Sequence, residues 1–259
     1  MREDFSLKDT LESGQAFRFK SFNGGYRGVA LGKEIYIRQD EDKIEISSDG
    51  NLAGADFTRY FSLDVDYKKI RKQLSLDPTL EKIVEFAPGI RVMRQPVFET
   101  LITFIISQNN NIPRISGIVE RLCDNFGEDR GGYRDFPSAE TLSELSTFDL
   151  APIRAGFRDK YIIDAARNWV DGTVREEFLK KAPLDSARDM LMKIKGVGPK
   201  VADCVLLFSA NRLETFPKDV WIKRAMESLF PDGLPECARE YAGIAQQYIF
   251  HYARNRQTI

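Results

Sequence analysis

Histidine is nearly missing from this chain. His251 is the only one among 259 residues, which removes Ser-His-Asp hydrolysis and most transition-metal chemistry from consideration. Cysteine is almost as scarce. Cys123, Cys204 and Cys237 are too few and too scattered for a disulfide framework or a zinc site. No stretch approaches membrane-spanning length, and the opening MREDFSLKDT has no apolar run fit for a signal peptide. These absences predict a cytoplasmic protein without a membrane partner. There is also no internal repeat, low-complexity tract or long linker.

What remains is an ordinary globular composition, 42% hydrophobic and 30% charged, with enough chain to bury a sizeable core in one or two domains. The formal charge of −1 suits nucleic acid poorly. Its distribution is more telling: residues 151–226 hold 15 Lys or Arg against 10 Asp or Glu, which predicts a local basic face with the acidic excess elsewhere.

Residues 1 to about 60 read as β structure. FRFKSFN, GYRGVALG, KEIYIRQD and DKIEISSDG alternate apolar and polar residues between turn signals, the pattern of an antiparallel meander. From Phe61 the periodicity becomes helical. Residues 67–74 and 80–86 predict two short helices, 97–107 a buried one, and the stripe from Ile112 to Phe126 another. Ser138 suits a helix N-cap, residues up to about 170 continue a helix after Lys160, and residues 236–252 form the last one.

The most informative stretch runs from Asp185 to Asp219. Ser186 and Asp189 suit a capping box for an amphipathic helix. Gly196 and Gly198 permit a turn with positive φ and close backbone approach, and Pro199 suits the first position of a second helix. The N-terminus of that helix aims free amides and the positive dipole end at a docking anion, for which a phosphate is the natural candidate. Lys200 lies in the first turn of the second helix, with Cys204 one turn later.

Ile194, Gly196, Gly198 and Ala202 follow the pattern of helix-hairpin-helix DNA-binding motifs, and GVGPKVADC closely resembles the hairpin of the 8-oxoguanine DNA glycosylases, the lyase-competent branch of the HhH-GPD glycosylase superfamily. The resemblance spans nearly the whole chain. It implies an α+β fold: an N-terminal antiparallel β-sheet domain with connecting helices over residues 1–92, then an all-helical glycosylase domain over 93–259 that part of the N-terminal chain completes. It makes Lys200 the nucleophile and Asp219, in Pro217-Lys218-Asp219-Val220, its carboxylate partner. In LESGQAFR, Gly14 takes the position whose main-chain carbonyl accepts from the damaged base. Gln246 and Phe250, at i and i+4 on the last helix, take the positions that bind its pairing edge and stack on its face, and Cys204 joins that pocket.

By the same resemblance Asn109 in SQNNNIPR fills the gap left by a flipped base, Phe157 is the wedge inserted between base steps, and Arg114 and Arg158 read the partner cytosine. Phe157 departs mildly from a position where tyrosine is common, and Trp221 stands where animal members have histidine. The implied partner is double-stranded DNA carrying 8-oxoguanine, bound by a monomer that associates with the nucleoid in a prokaryote. No cofactor is implied. Three cysteines cannot hold the four-cysteine iron-sulfur cluster of some relatives, although carbonyls near Gly196 and Gly198 offer a place for a structural cation. Two other readings fit the hairpin: a glycosylase acting on alkylated purines through Asp219 alone, and a non-catalytic DNA binder. Lys200 separates them, because only the bifunctional enzyme needs an amine there.

Overall fold

The computed structural model describes residues 5–40, 43–48 and 54–256. Four strands, β1 (Phe19–Phe22), β2 (Gly25–Ala30), β3 (Lys33–Asp40) and β4 (Lys43–Ser48), form an antiparallel sheet in sequence order. The register pairs Gly28 with Ile35 and Ile37 with Ile46. Alternation places Ile35 and Ile37 on the buried face, where they meet Leu7, Leu11, Phe57, Phe61 and Met93 in a small core. The expected meander is present, but the expectation of β structure through residue 60 is corrected at both ends. Helix α1 (Leu7–Glu12) precedes the sheet, because Ser6 accepts from the Asp9 amide at 3.2 Å and Leu7, Thr10 and Leu11 then share a buried face. Helix α2 (Gly54–Tyr60) follows it. The start MRED and residues 41–42 and 49–53, on which part of that expectation falls, lie outside the described residues.

The rest is helical: α3 (Tyr67–Leu74), α4 (Pro78–Phe86), α5 (Val97–Ile106), α6 (Ile112–Phe126), α7 (Ala139–Glu144), α8 (Asp159–Val170), α9 (Glu176–Lys181), α10 (Leu184–Met192), α11 (Pro199–Phe208), α12 (Val220–Leu229) and α13 (Ala242–Arg256). Ser138 caps α7 as the sequence predicts, accepting from the Thr141 amide. The last helix starts later than expected, since residues 236–241 form a tighter 3-10 turn. At the centre of the large helical core lie α5 and α11, and all of Val201 to Phe208 is buried. The Phe104 and Phe208 rings stack between them at 5.3 Å and 11°.

The hairpin joins α10 to α11. The capping box expected at Ser186 is corrected: α10 begins at Leu184, with extended Pro183 before it accepting from the Ala187 amide, so Ser186 is already inside the helix. Pro199 does open α11. A partly buried ion pair that the sequence does not reveal ties the two helices. Arg188 Nε donates to Asp203 Oδ1 at 2.6 Å and Nη2 to Oδ2 at 3.3 Å. Such a pair contributes little net stability when intact but leaves a costly buried charge when one partner goes. Arg188→Ala is therefore expected to lower the unfolding free energy by about 2–4 kcal/mol. Lys181→Ala, which removes only the exposed partner of Glu177, should leave the chemical-denaturation midpoint unchanged.

Candidate functional site

Three groups converge at the start of α11. Lys200 is half-buried in its first turn with its ammonium 5.3 Å from the Phe104 ring centroid. Cys204, one turn on, is 3% exposed. Burial pushes its thiol up to about 11, outweighing the lowering effect of hydrogen-bonded Lys200, and the charges of Asp219 and Asp203 add to the rise. Cys204 is thus a neutral thiol at physiological pH, and it neither competes as a nucleophile nor neutralises the lysine. Asp219 caps α12, its Oδ1 accepting from the Ile222 amide at 2.8 Å. Its charge is felt at Cys204, so it shares the Lys200 neighbourhood. No salt bridge joins Lys200 and Asp219 among the described residues.

A second group comes from both ends of the chain. Gly14 has φ +76°, and a Cβ built there would lie 3.2 Å from the Phe250 ring and 3.3 Å from Ile112. Only glycine fits this conformation and spacing without strain. Its backbone carbonyl accepts from no group among the described residues, whereas the carbonyls on either side are held. Gln246 is 4% exposed, and its Oε1 is buried without a partner. An unsatisfied buried amide oxygen is costly in a folded protein and marks a place where a ligand donor fits. Gly14 and Phe250 are therefore in contact, and Gln246 lies one helical turn before Phe250 on α13.

The rim carries the remaining residues. Asn109 is exposed with φ +46°, a left-handed conformation that asparagine tolerates better than most residues. Asn111 caps α6 by accepting from the Arg114 amide at 3.0 Å. The side chain of Arg114 is exposed and has no protein partner among the described residues. Phe157 is 51% exposed and stands edge-on to Tyr161 at 6.1 Å. Arg158 is placed differently from what a partner-base reader requires. It is buried, its guanidinium donating to the carbonyls of Ala155, at 2.9 Å, and of Gln108 and Asn109. Burial and the nearby Arg114 charge both hold its pKa below the ordinary arginine value. In this state Arg158 braces the Asn109 loop, and Arg114 is the free cation beside it.

At the turn itself, Gly196 has φ +81°, and a Cβ there would strike the Tyr161 ring at 2.5 Å. Gly198 is corrected: its φ of −104° needs no glycine for conformation, and open space lies where a Cβ would point. Its lack of a side chain leaves the N-terminus of α11 open to an approaching group. Lys195 donates its amide to Asp164 Oδ2 at 2.8 Å, hanging the turn from α8. Sequence reasoning missed Tyr161, Asp164 and Gln247, whose Nε2 donates to the Ser13 carbonyl beside Gly14. Its place next to Gln246 in an otherwise apolar run is the one signal that could have found it. No group of three or more His, Cys, Asp or Glu side chains suited to a metal ion occurs among the described residues.

The chain is similar to known proteins along nearly its whole length. Residues 1–101 match the model of the 8-oxoguanine DNA glycosylase N-terminal domain, and residues 102–234 that of the HhH-GPD superfamily base excision DNA repair proteins. An N-glycosylase/DNA lyase of Saccharomyces cerevisiae is 33% identical over 86% of this chain and 68% of its own length. The Clostridium acetobutylicum 8-oxoguanine glycosylase/lyase, solved with double-stranded DNA containing cytosine opposite 8-oxoguanine, superposes with a TM-score of 0.88 at 38% identity, covering 98% of this chain and 93% of that one. The structure of MBOgg1 with a low-affinity DNA ligand gives a TM-score of 0.90 at 41% identity, covering 99% and 94%. With matches along nearly its whole length, the chain belongs to the HhH-GPD superfamily of base excision DNA repair proteins, in the branch that carries the 8-oxoguanine DNA glycosylase N-terminal domain.

Proposed function

We infer that the protein is a bifunctional DNA glycosylase that excises 8-oxoguanine opposite cytosine from duplex DNA and then cleaves the abasic site by β-elimination. The observation that carries this reading is the conjunction of an amine and a carboxylate at the hairpin with an unengaged carbonyl beside an aromatic ring. The relatives named N-glycosylase/DNA lyase and the solved 8-oxoguanine complex support it. Its substrate is DNA, so its place in the cell is wherever the DNA lies, the nucleoid in a prokaryote. It needs no cofactor for this chemistry, and the hairpin carbonyls near Gly196 and Gly198 remain the proposed place for a structural cation.

The base must leave the stack before any side chain reaches C1′. Asn109 fills the vacated space and Phe157 wedges the duplex open. 8-Oxoguanine carries a hydrogen at N7 where guanine has a lone pair, so the Gly14 carbonyl accepts from the first and repels the second. Gln246 completes the recognition of the pairing edge, giving its buried Oε1 the donor it lacks. Phe250 stacks on the base face. The Lys200 amine attacks C1′ and the C1′–N9 bond breaks, the base leaving with the bonding electrons and taking up the proton that the attacking nitrogen gives up. The C1′–O4′ bond then breaks as O4′ takes a proton from solvent and the nitrogen lone pair forms the protonated Schiff base, from which a C2′ proton is lost as the 3′ phosphate leaves with the electrons of the C3′–O bond. Asp219, separate from Lys200 rather than paired to it, stabilises the positive charge that develops on the sugar between them. The open N-terminus of α11 takes a backbone phosphate.

Borohydride trapping on an 8-oxoguanine duplex tests substrate, nucleophile and intermediate together. Wild-type enzyme should give a covalent adduct, and Lys200→Gln should lose both base release and trapping. Continued full-rate trapping in that variant would remove Lys200 from the mechanism. Gly14→Ala, strained by its positive φ and pressed against Phe250, should reduce discrimination between 8-oxoguanine and guanine far more than affinity for undamaged duplex. Equal losses on both duplexes would make the glycine purely structural.

Cytosine offers two acceptors on its pairing edge, N3 and O2, whereas adenine offers N1 alone with a C2–H in place of the second, so a pair of donor-only guanidinium groups favours cytosine. Excision should be strongest opposite cytosine, and Arg114→Ala should relax that ranking by about 1–3 kcal/mol of discrimination. Arg158→Ala should relax it too while also lowering activity opposite every base, because it frees the Asn109 loop. An unchanged ranking in both variants would assign these arginines to the phosphate backbone.

A further inference from the structure

The three successive carbonyls at Ser13, Gly14 and Gln15 are treated differently by the fold. The Ser13 carbonyl accepts from Gln247 Nε2 at 2.8 Å, a contact across 234 residues of sequence. The Gln15 carbonyl accepts from Gln95 Nε2 at 2.8 Å. The Gly14 carbonyl between them accepts from nothing among the described residues. The Gln15 side chain stiffens the same loop, donating to the carbonyls of Thr10 and Arg91 at 3.0 and 2.7 Å and accepting from the Met93 amide at 2.8 Å. The peptide planes around the most flexible residue type are thus pinned on both sides while the middle acceptor is left pointing free.

Gln247 is 2% exposed and adjoins Gln246 on α13. One helix therefore delivers both the side chain that faces the base and the one that holds the loop opposite it. We propose that Gln247 is a positioning residue: its hydrogen bond to the Ser13 carbonyl sets the aim of the Gly14 carbonyl, and through it the selectivity for a purine bearing a hydrogen at N7. This rests on the substrate reading above. Without the Gln247 donor the Ser13–Gly14 peptide can rotate about the glycine torsions. A rotation of 20–30° would move the free carbonyl by on the order of 1 Å, beyond the tolerance of a preorganised contact. Gln247 acts through its bond to the Ser13 loop and makes no hydrogen bond to Lys200 among the described residues, so cleavage of a site that has already lost its base should not depend on it.

The test compares two substrates in one preparation of enzyme: single-turnover excision from an 8-oxoguanine:cytosine duplex and strand cleavage of a preformed abasic duplex. Gln247→Met keeps length and apolar volume and removes the donor. It should slow 8-oxoguanine excision by about 10- to 100-fold and leave abasic cleavage within about twofold. Gln247→Glu provides the second arm, because its carboxyl donates only when protonated. Its excision-to-cleavage ratio, normalised to wild type at each pH, should recover as pH falls from about 8 to about 5. Equal losses on both substrates in Gln247→Met, or a normalised ratio in Gln247→Glu that does not change with pH, overturns the positioning role. If Gln247→Met does not fold, the Gln247→Glu ratio decides alone. A wild-type enzyme that cleaves the abasic duplex yet leaves 8-oxoguanine in place instead overturns the substrate reading, and the inference with it.

Discussion

Burial of α11 on all sides is the constraint from which the rest of the site follows. A helix whose residues from Val201 to Phe208 are all inside the core cannot shift or rotate without opening cavities, and packed interiors resist that strongly. Its first turn is therefore fixed in space, and Lys200 projects from it half-buried beside the Phe104 ring. The stacked pair of Phe104 and Phe208 locks α11 to α5, and Arg188 with Asp203 locks it to α10. The Gly196 turn, seated on Tyr161 and hung from Asp164, then sets how the hairpin presents its open end. Such rigidity suits the proposed chemistry, since an amine attacking a sugar carbon must be held close to its line of approach.

Recognition is built on a different principle from catalysis. The groups proposed to react lie close in sequence, from Lys200 to Asp219, on two helices and the link between them. The recognition groups come from opposite ends of the chain and meet where the N-terminal segment crosses α13. A single main-chain acceptor can distinguish two purines only if it is aimed and kept free of internal donors. The glutamines around Gly14 provide the aim, and the fold leaves that carbonyl free. The lone buried oxygen of Gln246 belongs to the same design, because an atom left unsatisfied in the free protein favours a ligand that satisfies it.

The partner-base side is poised rather than complete. Arg158 can serve cytosine only by leaving three main-chain carbonyls, so an acceptor on the DNA must compensate for the bonds it gives up. Arg114, exposed and close enough to depress the Arg158 pKa, needs no such exchange. The small overall charge of the chain is compatible with DNA binding because residues 151–226 hold 15 Lys or Arg against 10 Asp or Glu, a local excess of positive charge.

Much of this protein is determined locally and was open to reading from sequence. Periodicity places α3, α5 and α6 nearly to the residue, because each carries an apolar stripe set by helical geometry and bounded by local cap or turn chemistry at Asp66, Pro96 and Asn111. Lys200, Asp219 and Gly14 could be offered as candidates from sequence because the motifs that hold them are short and contiguous. Where local rules competed, tertiary structure decided. Ser186 has the chemistry of a cap, but Pro183 starts the helix first. Gly198 has the freedom for positive φ, but the turn needs it only at Gly196. Nothing in sequence pairs Gln247 with Ser13, Arg188 with Asp203 or Arg158 with the Asn109 loop, since those contacts depend on how distant elements pack. A local pattern can encode which residue types a segment presents. Which of their hydrogen-bonding groups are consumed inside the protein, and which remain for DNA, is settled only when the whole chain has folded.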